Sequence, residues 1–341
     1  MYQRHIIKSC SRMAQRLEYI DMGKAIAIIS VVIGHILLFD LYGADNVRRS
    51  DLMSFVSSYE NNLFIFLSGI VSVTFIQKEN ILFDLYKRFR CLIIPALVIG
   101  IPYAYYIGSD IERFLLNVSK LGYWYLFVLF ALYILNYPFA LLQSKYLKYV
   151  YVLIIPLWLF IYRHTYIIPT KVNDLLAIDS IVGYFPYFFV GAIIKRHKLH
   201  EKVFSKPVLL VCILIIAFRC QIEYYTRNYL FLLHHNTFVH FAEVISIVTL
   251  CKLGGGSIPT AIHNSLTFIG RNTIFIYLFH YYIIHSIMMP TMYDWYGENG
   301  NIGIDILSVI IPVIVAVAFS LLIKRVLEYS PRLMRIVFYK T

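Results

Sequence analysis

Residues 16–39 read RLEYIDMGKAIAIISVVIGHILLF. The stretch opens charged at Arg16, Glu18, Asp21 and Lys24, then runs apolar from Ala25 to Phe39 with one ionisable interruption, His35. A run of this length and polarity reads as a membrane-spanning helix. An imidazole inside it is expensive to place in a bilayer, which marks a candidate site. Lys24 and His35 are eleven residues apart, so at about 100° per residue they fall within about 20° of one face, roughly 16 Å apart along the axis. Asp21 lies about 40° off that face. One wall of the helix then carries a cation at the membrane border and a titratable ring about halfway across. Such a wall suits a reaction that begins at one surface and finishes inside.

The rest of the chain supports a membrane setting. Sixty per cent of its 341 residues are hydrophobic, 17% aromatic and only 15% charged, with a mean hydropathy of +0.69. Soluble chains carry about a quarter charged residues. Apolar runs predict an all-α membrane protein, a polytopic bundle of about ten transmembrane helices near 22–40, 54–76, 90–107, 122–142, 148–163, 180–195, 207–223, 229–251, 266–288 and 304–324. The excess of 31 basic over 19 acidic residues invites a nucleic-acid reading. Placement argues for membrane orientation instead, because the bases concentrate in alternate loops at roughly three to one, which predicts both termini in the cytoplasm. No nucleic-acid partner is expected; the lipid bilayer is.

The whole of 1–341 is expected to form one transmembrane domain, with short cytoplasmic tails at 1–15 and 326–341 and no appended soluble unit. Asp40 follows the first apolar run where a signal peptide would need small residues, so no cleavage is expected. The five cysteines show no CxxC or paired spacing, and neither a disulfide framework nor a zinc site is indicated. No permanently bound cofactor and no metal are expected.

Four further clusters carry polar chemistry in apolar surroundings. Glu60-Asn61-Asn62 stand at the outer lip of the second run, ahead of Leu63-Phe64-Ile65-Phe66-Leu67-Ser68-Gly69. They could line the entry of a hydroxyl-rich ligand, or serve as a helix start with a small-residue packing face behind it. Lys87-Arg88-Phe89-Arg90 enters the third run from the inside, either as an orientation signal or as cations for a phosphate-bearing molecule. His240 and Glu243 share a helix face three residues apart. An outer hydrogen-bonding role suits them better than a metal, with no second carboxylate near in sequence. His280 is intramembrane and reads equally as packing or as a ligand contact. Gly254-Gly255-Gly256 lacks the strand and lysine of a phosphate-binding loop.

The Lys24-to-His35 spacing, with the IDMGK and VIGH wording around it, resembles the first helix of the acyltransferase-3 family of integral membrane O-acyltransferases. Leu63 to Gly69, Lys87-x-x-Arg90, Phe185 to Gly191, Ile269 to His280 and Glu328 before Pro331 are similar to later landmarks of that family, in the same order. The resemblance implies a multi-pass acyltransferase of the cell membrane. It would move an acyl group, an acetyl by preference, from cytoplasmic acyl-coenzyme A to a hydroxyl of a cell-surface or lipid-linked glycan, in a polysaccharide O-acetylation. On that reading Lys24, Arg16, Arg88 and Arg90 hold the coenzyme and His35, with Lys24 beside it, is catalytic. His35 serves as general base. Glu60, Asn61, Asn62, His240 and Glu243 would meet the acceptor. The rival is a lipid-linked-sugar flippase or small-molecule transporter, which would use the same intramembrane polar groups as a path; the internal repeat common in transporters is not visible.

Overall fold

The structure, a computed structural model, describes residues 17–73, 80–142, 144–222, 237–287 and 301–339, and among them every regular element is helical. The first helices are α1 (Glu18–Ile36), α2 (Asp51–Ser72), α3 (Ile81–Tyr106) and α4 (Trp124–Leu141). They are followed by α5 (Ser144–His164), α6 (Ile178–Arg196), α7 (Lys206–Ala217) and α8 (Thr237–Gly254). The chain closes with α9 (Thr260–Arg271), α10 (Thr273–Ile287), α11 (Ile302–Glu328) and α12 (Pro331–Phe338). Helix starts follow their caps. Ser50 accepts from the Met53 N–H at 3.0 Å, Asn80 from that of Phe83 at 3.0 Å, and Asn301 from those of Gly303 and Ile304 at 3.0 and 3.1 Å. Prolines sit inside α3, α4, α5, α6 and α11, as membrane helices tolerate when neighbours satisfy the freed carbonyls.

α1 is the axis of the bundle. It packs against α2, α8, α9, α10 and α11, and 61% of its most apolar window is buried inside the protein, against none of the window at Tyr149–Ile167 in and beyond α5. α2 lies antiparallel to it: Gly23 meets Leu67, and Gly34 meets Glu60. The α9–α10 pair runs alongside α1 in the same direction, with Gly270 against the Asp21 carbonyl, Tyr281 at His35 and His285 at Phe39. A reciprocal pair of close backbone contacts joins α2 to α6. A Cβ on Gly69 would lie 2.1 Å from the Phe188 carbonyl oxygen, and one on Gly191 would lie 2.3 Å from that of Phe66. Only glycine lets two backbones approach so closely, which is the membrane form of small-residue packing. The small Ser68-Gly69 step therefore belongs to the helix interface.

Among the described residues six helices are long and apolar enough to cross a membrane: Glu18–Leu41, Ile81–Tyr106, Tyr149–Ile167, Ile178–Arg196, Thr237–Gly254 and Ile302–Glu328. Two more, Trp124–Phe139 and Lys206–Ala217, are apolar but shorter. Two of the ten expected runs thus take another form. The second is a helix of 22 residues, α2, whose first half is too polar to stand in lipid alone (Ser54, Ser57, Ser58, Glu60, Asn61, Asn62). It packs on α1, α6 and α8, which bury Ser58 and Glu60. The ninth is broken at buried Asn272, whose side-chain N–H donates to the Phe268 carbonyl at 2.8 Å, separating α9 from α10. Part of the seventh and eighth expected runs (223–236) lies outside the described residues.

Candidate active site

His35 sits in the last turn of α1, where the helix widens into a π-turn over Leu37–Leu41, a distortion common at functional positions. Its ring faces α10 and the bundle interior. His35 Nε2 and the Tyr281 hydroxyl are 2.8 Å apart. The ring also lies 5.3 Å from that of His280, 4.7 Å from that of Tyr281 and 5.7 Å from that of Phe39, centroid to centroid. Tyr281 in turn donates to the Gly122 carbonyl at 3.2 Å, which Tyr277 also engages at 2.6 Å. Beyond Phe39, His285 Nδ1 and the Tyr103 hydroxyl are 2.9 Å apart. Three imidazoles thus share a cluster of aromatic rings between α1, α3 and α10.

Beside His35, a nitrogen of His280 and an oxygen of Glu60 are buried with no hydrogen-bond partner among the described residues. His280 is fully buried, and its Nδ1 contacts the Ile276 carbonyl at 2.9 Å, as an N–H donor would. Nε2 then carries the lone pair, and nothing meets it. Glu60 is 8% exposed; its Oε1 accepts from the Asn61 amide at 3.2 Å, while Oε2 stands alone. Oε2 lies against Gly34, where a Cβ would be 3.3 Å away. The carboxyl therefore reaches α1 one residue before His35. Buried polar groups without partners in a native fold ask for a ligand or water.

The other expected residues fall around this core. Lys24 is half-buried on the same unbroken helix as His35, near the end where Arg271 Nε donates to Asp21 at 3.2 Å. Arg271 was not singled out in the sequence, and no spacing signals a partner 250 residues away. Arg88 is 10% exposed, 3.7 Å from Asp84, with its guanidinium 3.8 Å above the Tyr133 ring. Arg90 donates to the Ile336 and Arg335 carbonyls at 2.9 and 3.4 Å, tying α3 to α12. Asn62 donates to the Ser58 carbonyl at 2.8 Å. His240 Nδ1 is 3.1 Å from Glu243, which also faces Arg219 at 3.7 Å. Arg16 lies outside the described residues. Two features escaped the sequence altogether: Tyr281, hidden among 29 tyrosines, and Asp40, a buried carboxylate in the π-turn with neither oxygen bonded. Among the described residues no three His, Cys, Asp or Glu side chains converge as a metal would need.

Residues 17–325 match the family described as an acyltransferase domain, nearly the whole chain. The chain belongs to the acyltransferase-3 family. No curated protein and no solved structure matches it. The family assignment makes it a multi-pass membrane acyltransferase. The match in this acyltransferase takes in α1 to α10 and most of α11, and leaves out α12.

Proposed function

We propose that this acyltransferase is an O-acyltransferase that carries an acetyl or related acyl group from cytoplasmic acyl-coenzyme A to a hydroxyl of a cell-surface or lipid-linked glycan, in the cell membrane. The observation that carries the reading is the direction of His35. Its ring points into the bundle, held by Tyr281 and flanked by buried groups with unspent hydrogen-bonding capacity, where a lipid-facing ring could do no chemistry.

The steps follow from the residues. The Lys24 end of α1 is the basic end and faces the cytoplasm, which also holds both termini in a ten-span arrangement. Lys24, with Arg88, Arg90 and Arg16, draws the anionic coenzyme to that mouth. The acyl arm reaches along α1. Tyr281 gives its proton to the Gly122 carbonyl and accepts from His35 Nε2–H, which leaves the Nδ1 lone pair as the base. As the acceptor oxygen attacks the thioester carbon, its proton passes to His35. Collapse of the tetrahedral adduct breaks the carbon–sulfur bond, and the departing thiolate takes the proton back from the imidazolium. Ester and free thiol result, with His35 restored. Base catalysis of this kind contributes typically about 10²–10⁴-fold.

The test is direct. Purified protein in lipid nanodiscs, given acetyl-coenzyme A labelled in the acetyl group, is expected to move label onto glycan from its own cells. His35→Ala should be folded and nearly inert. Full transfer by that variant would remove His35 from the chemistry. A wild-type protein that neither binds nor consumes the thioester would instead favour a flippase or transporter.

A further inference from the structure

At the end of the bundle opposite Lys24, α2, α5, α6 and α8 line an open cavity of about 840 Å³, in the upper range of the ~300–1,000 Å³ usual for small-molecule sites. It is far more room than an acyl group needs. One wall is aromatic: Trp158 and Tyr162, one turn apart on α5, with Tyr184 and Tyr187 from α6. Most of these rings are held in place before anything binds. The Trp158 indole N–H donates to the Val182 carbonyl at 2.8 Å. Tyr184 stacks on Trp124 at 5.3 Å and Tyr187 on Phe241 at 4.4 Å, centroid to centroid. Rings fixed in advance lose little freedom on binding.

The other wall is polar. Asn62 and His240 both line it. His240 Nδ1 is taken by Glu243, which leaves Nε2 for a ligand. Among the described residues the charged lining is Arg163 and Asp179, one of each sign. A cavity for a phosphate or a polyanion would carry an excess of bases. Flat aromatic faces opposite neutral hydrogen-bonding groups match pyranose rings, whose C–H faces are apolar and whose edges are hydroxyls.

Glu60 stands two residues before Asn62 of the polar wall, and its Oε2 rests against Gly34, the residue before His35 on α1. We infer that the cavity between α2, α5, α6 and α8 is the acceptor site, taking two or more linked, uncharged sugar units across Trp158 and Tyr184 and passing one hydroxyl past Glu60 to His35. The inference rests on the acyl-transfer reading and names its acceptor.

The experiment compares surface and lipid-linked glycans by mass spectrometry from cells carrying wild-type protein, no protein, Trp158→Ala or Trp158→Phe. Each purified variant is also titrated with acetyl-coenzyme A, so that loss of fold is seen separately as loss of donor binding. The expected result is one acyl mass, present with wild type, on an uncharged sugar. Trp158→Ala should lose it by about tenfold or more, Trp158→Phe should keep most of it, and all three proteins should bind the donor alike. Undiminished acylation by a folded Trp158→Ala, or an acyl group found on a uronic or phosphorylated unit, would overturn the site. Equal glycan masses with and without the protein would remove the acyl-transfer reading itself, and the acceptor with it.

Discussion

His35 Nε2 and the Tyr281 hydroxyl stand 2.8 Å apart across 246 residues of sequence, joining the central helix to α10. The pair fixes the imidazole's rotation and its tautomer together. Tyr281→Phe removes the hydroxyl and keeps the ring. A hydrogen bond of this kind is worth about 0.5–1.5 kcal/mol, so turnover should fall by up to about tenfold with the donor's KM unchanged. Steady-state kinetics with labelled acetyl-coenzyme A checks it. A change in KM alone would place Tyr281 in donor binding.

Gly34 makes room for Glu60. A Cβ there would already be 3.3 Å from Oε2, and the branched side chain of Gly34→Val would drive the carboxyl away. Overpacking costs about 1–3 kcal/mol, so the variant should melt earlier in detergent and lose most of its transfer. Glu60→Gln keeps the shape and replaces the carboxyl by an amide. Its melting temperature should stay near wild type while transfer drops, which separates the two effects.

Gly69 and Gly191 should tolerate no side chain. Their added Cβ atoms would meet carbonyl oxygens at 2.1 and 2.3 Å, and neither carbonyl can swing aside as a side chain would. Gly69→Val or Gly191→Val must part α2 from α6, at a cost at or above about 3 kcal/mol. Fluorescence-detected size-exclusion chromatography after heating should show little folded protein. Near-normal melting would mean the helices pack less closely than the geometry requires.

Arg90 spends its guanidinium on the carbonyls of Arg335 and Ile336. Arg90→Ala should release α12, seen as faster tryptic cleavage after Arg332 and Arg335. Titration with acetyl-coenzyme A tells whether the same cation also serves the donor. Slower cleavage than wild type would sink the tether.

Much of this was readable in the residues. The membrane class followed from composition, and the Lys24–His35 face followed from helix geometry on a segment that folds as one unbroken α1. Hydropathy counted spans less well. It reads average polarity along the chain, so it could not see that Ser58 and Glu60 of α2 are buried among three neighbours, or that Asn272 would interrupt its helix by bonding back to Phe268. The partners of Arg90, His35 and Asp21 are distant in sequence, and no periodicity links such pairs. Trp158 and Tyr162 read as ordinary interfacial aromatics, because only the fold sets them across from Asn62 and His240.

The interlocked glycines of α2 and α6 have a mechanical corollary. With their backbones in direct contact, the two helices travel as one piece, and the polar and aromatic walls they carry keep a fixed spacing. Widening of the mouth for a bulky polymer would then fall to the other two walls, α8, which packs on α1, α2 and α7, and α5, whose apolar residues Val152, Leu153, Ile155, Leu157 and Phe160 are all exposed. The wall of the site that is free to give is thus the one in contact with the surrounding acyl chains, and their fluidity would bear on how readily a bulky polymer enters.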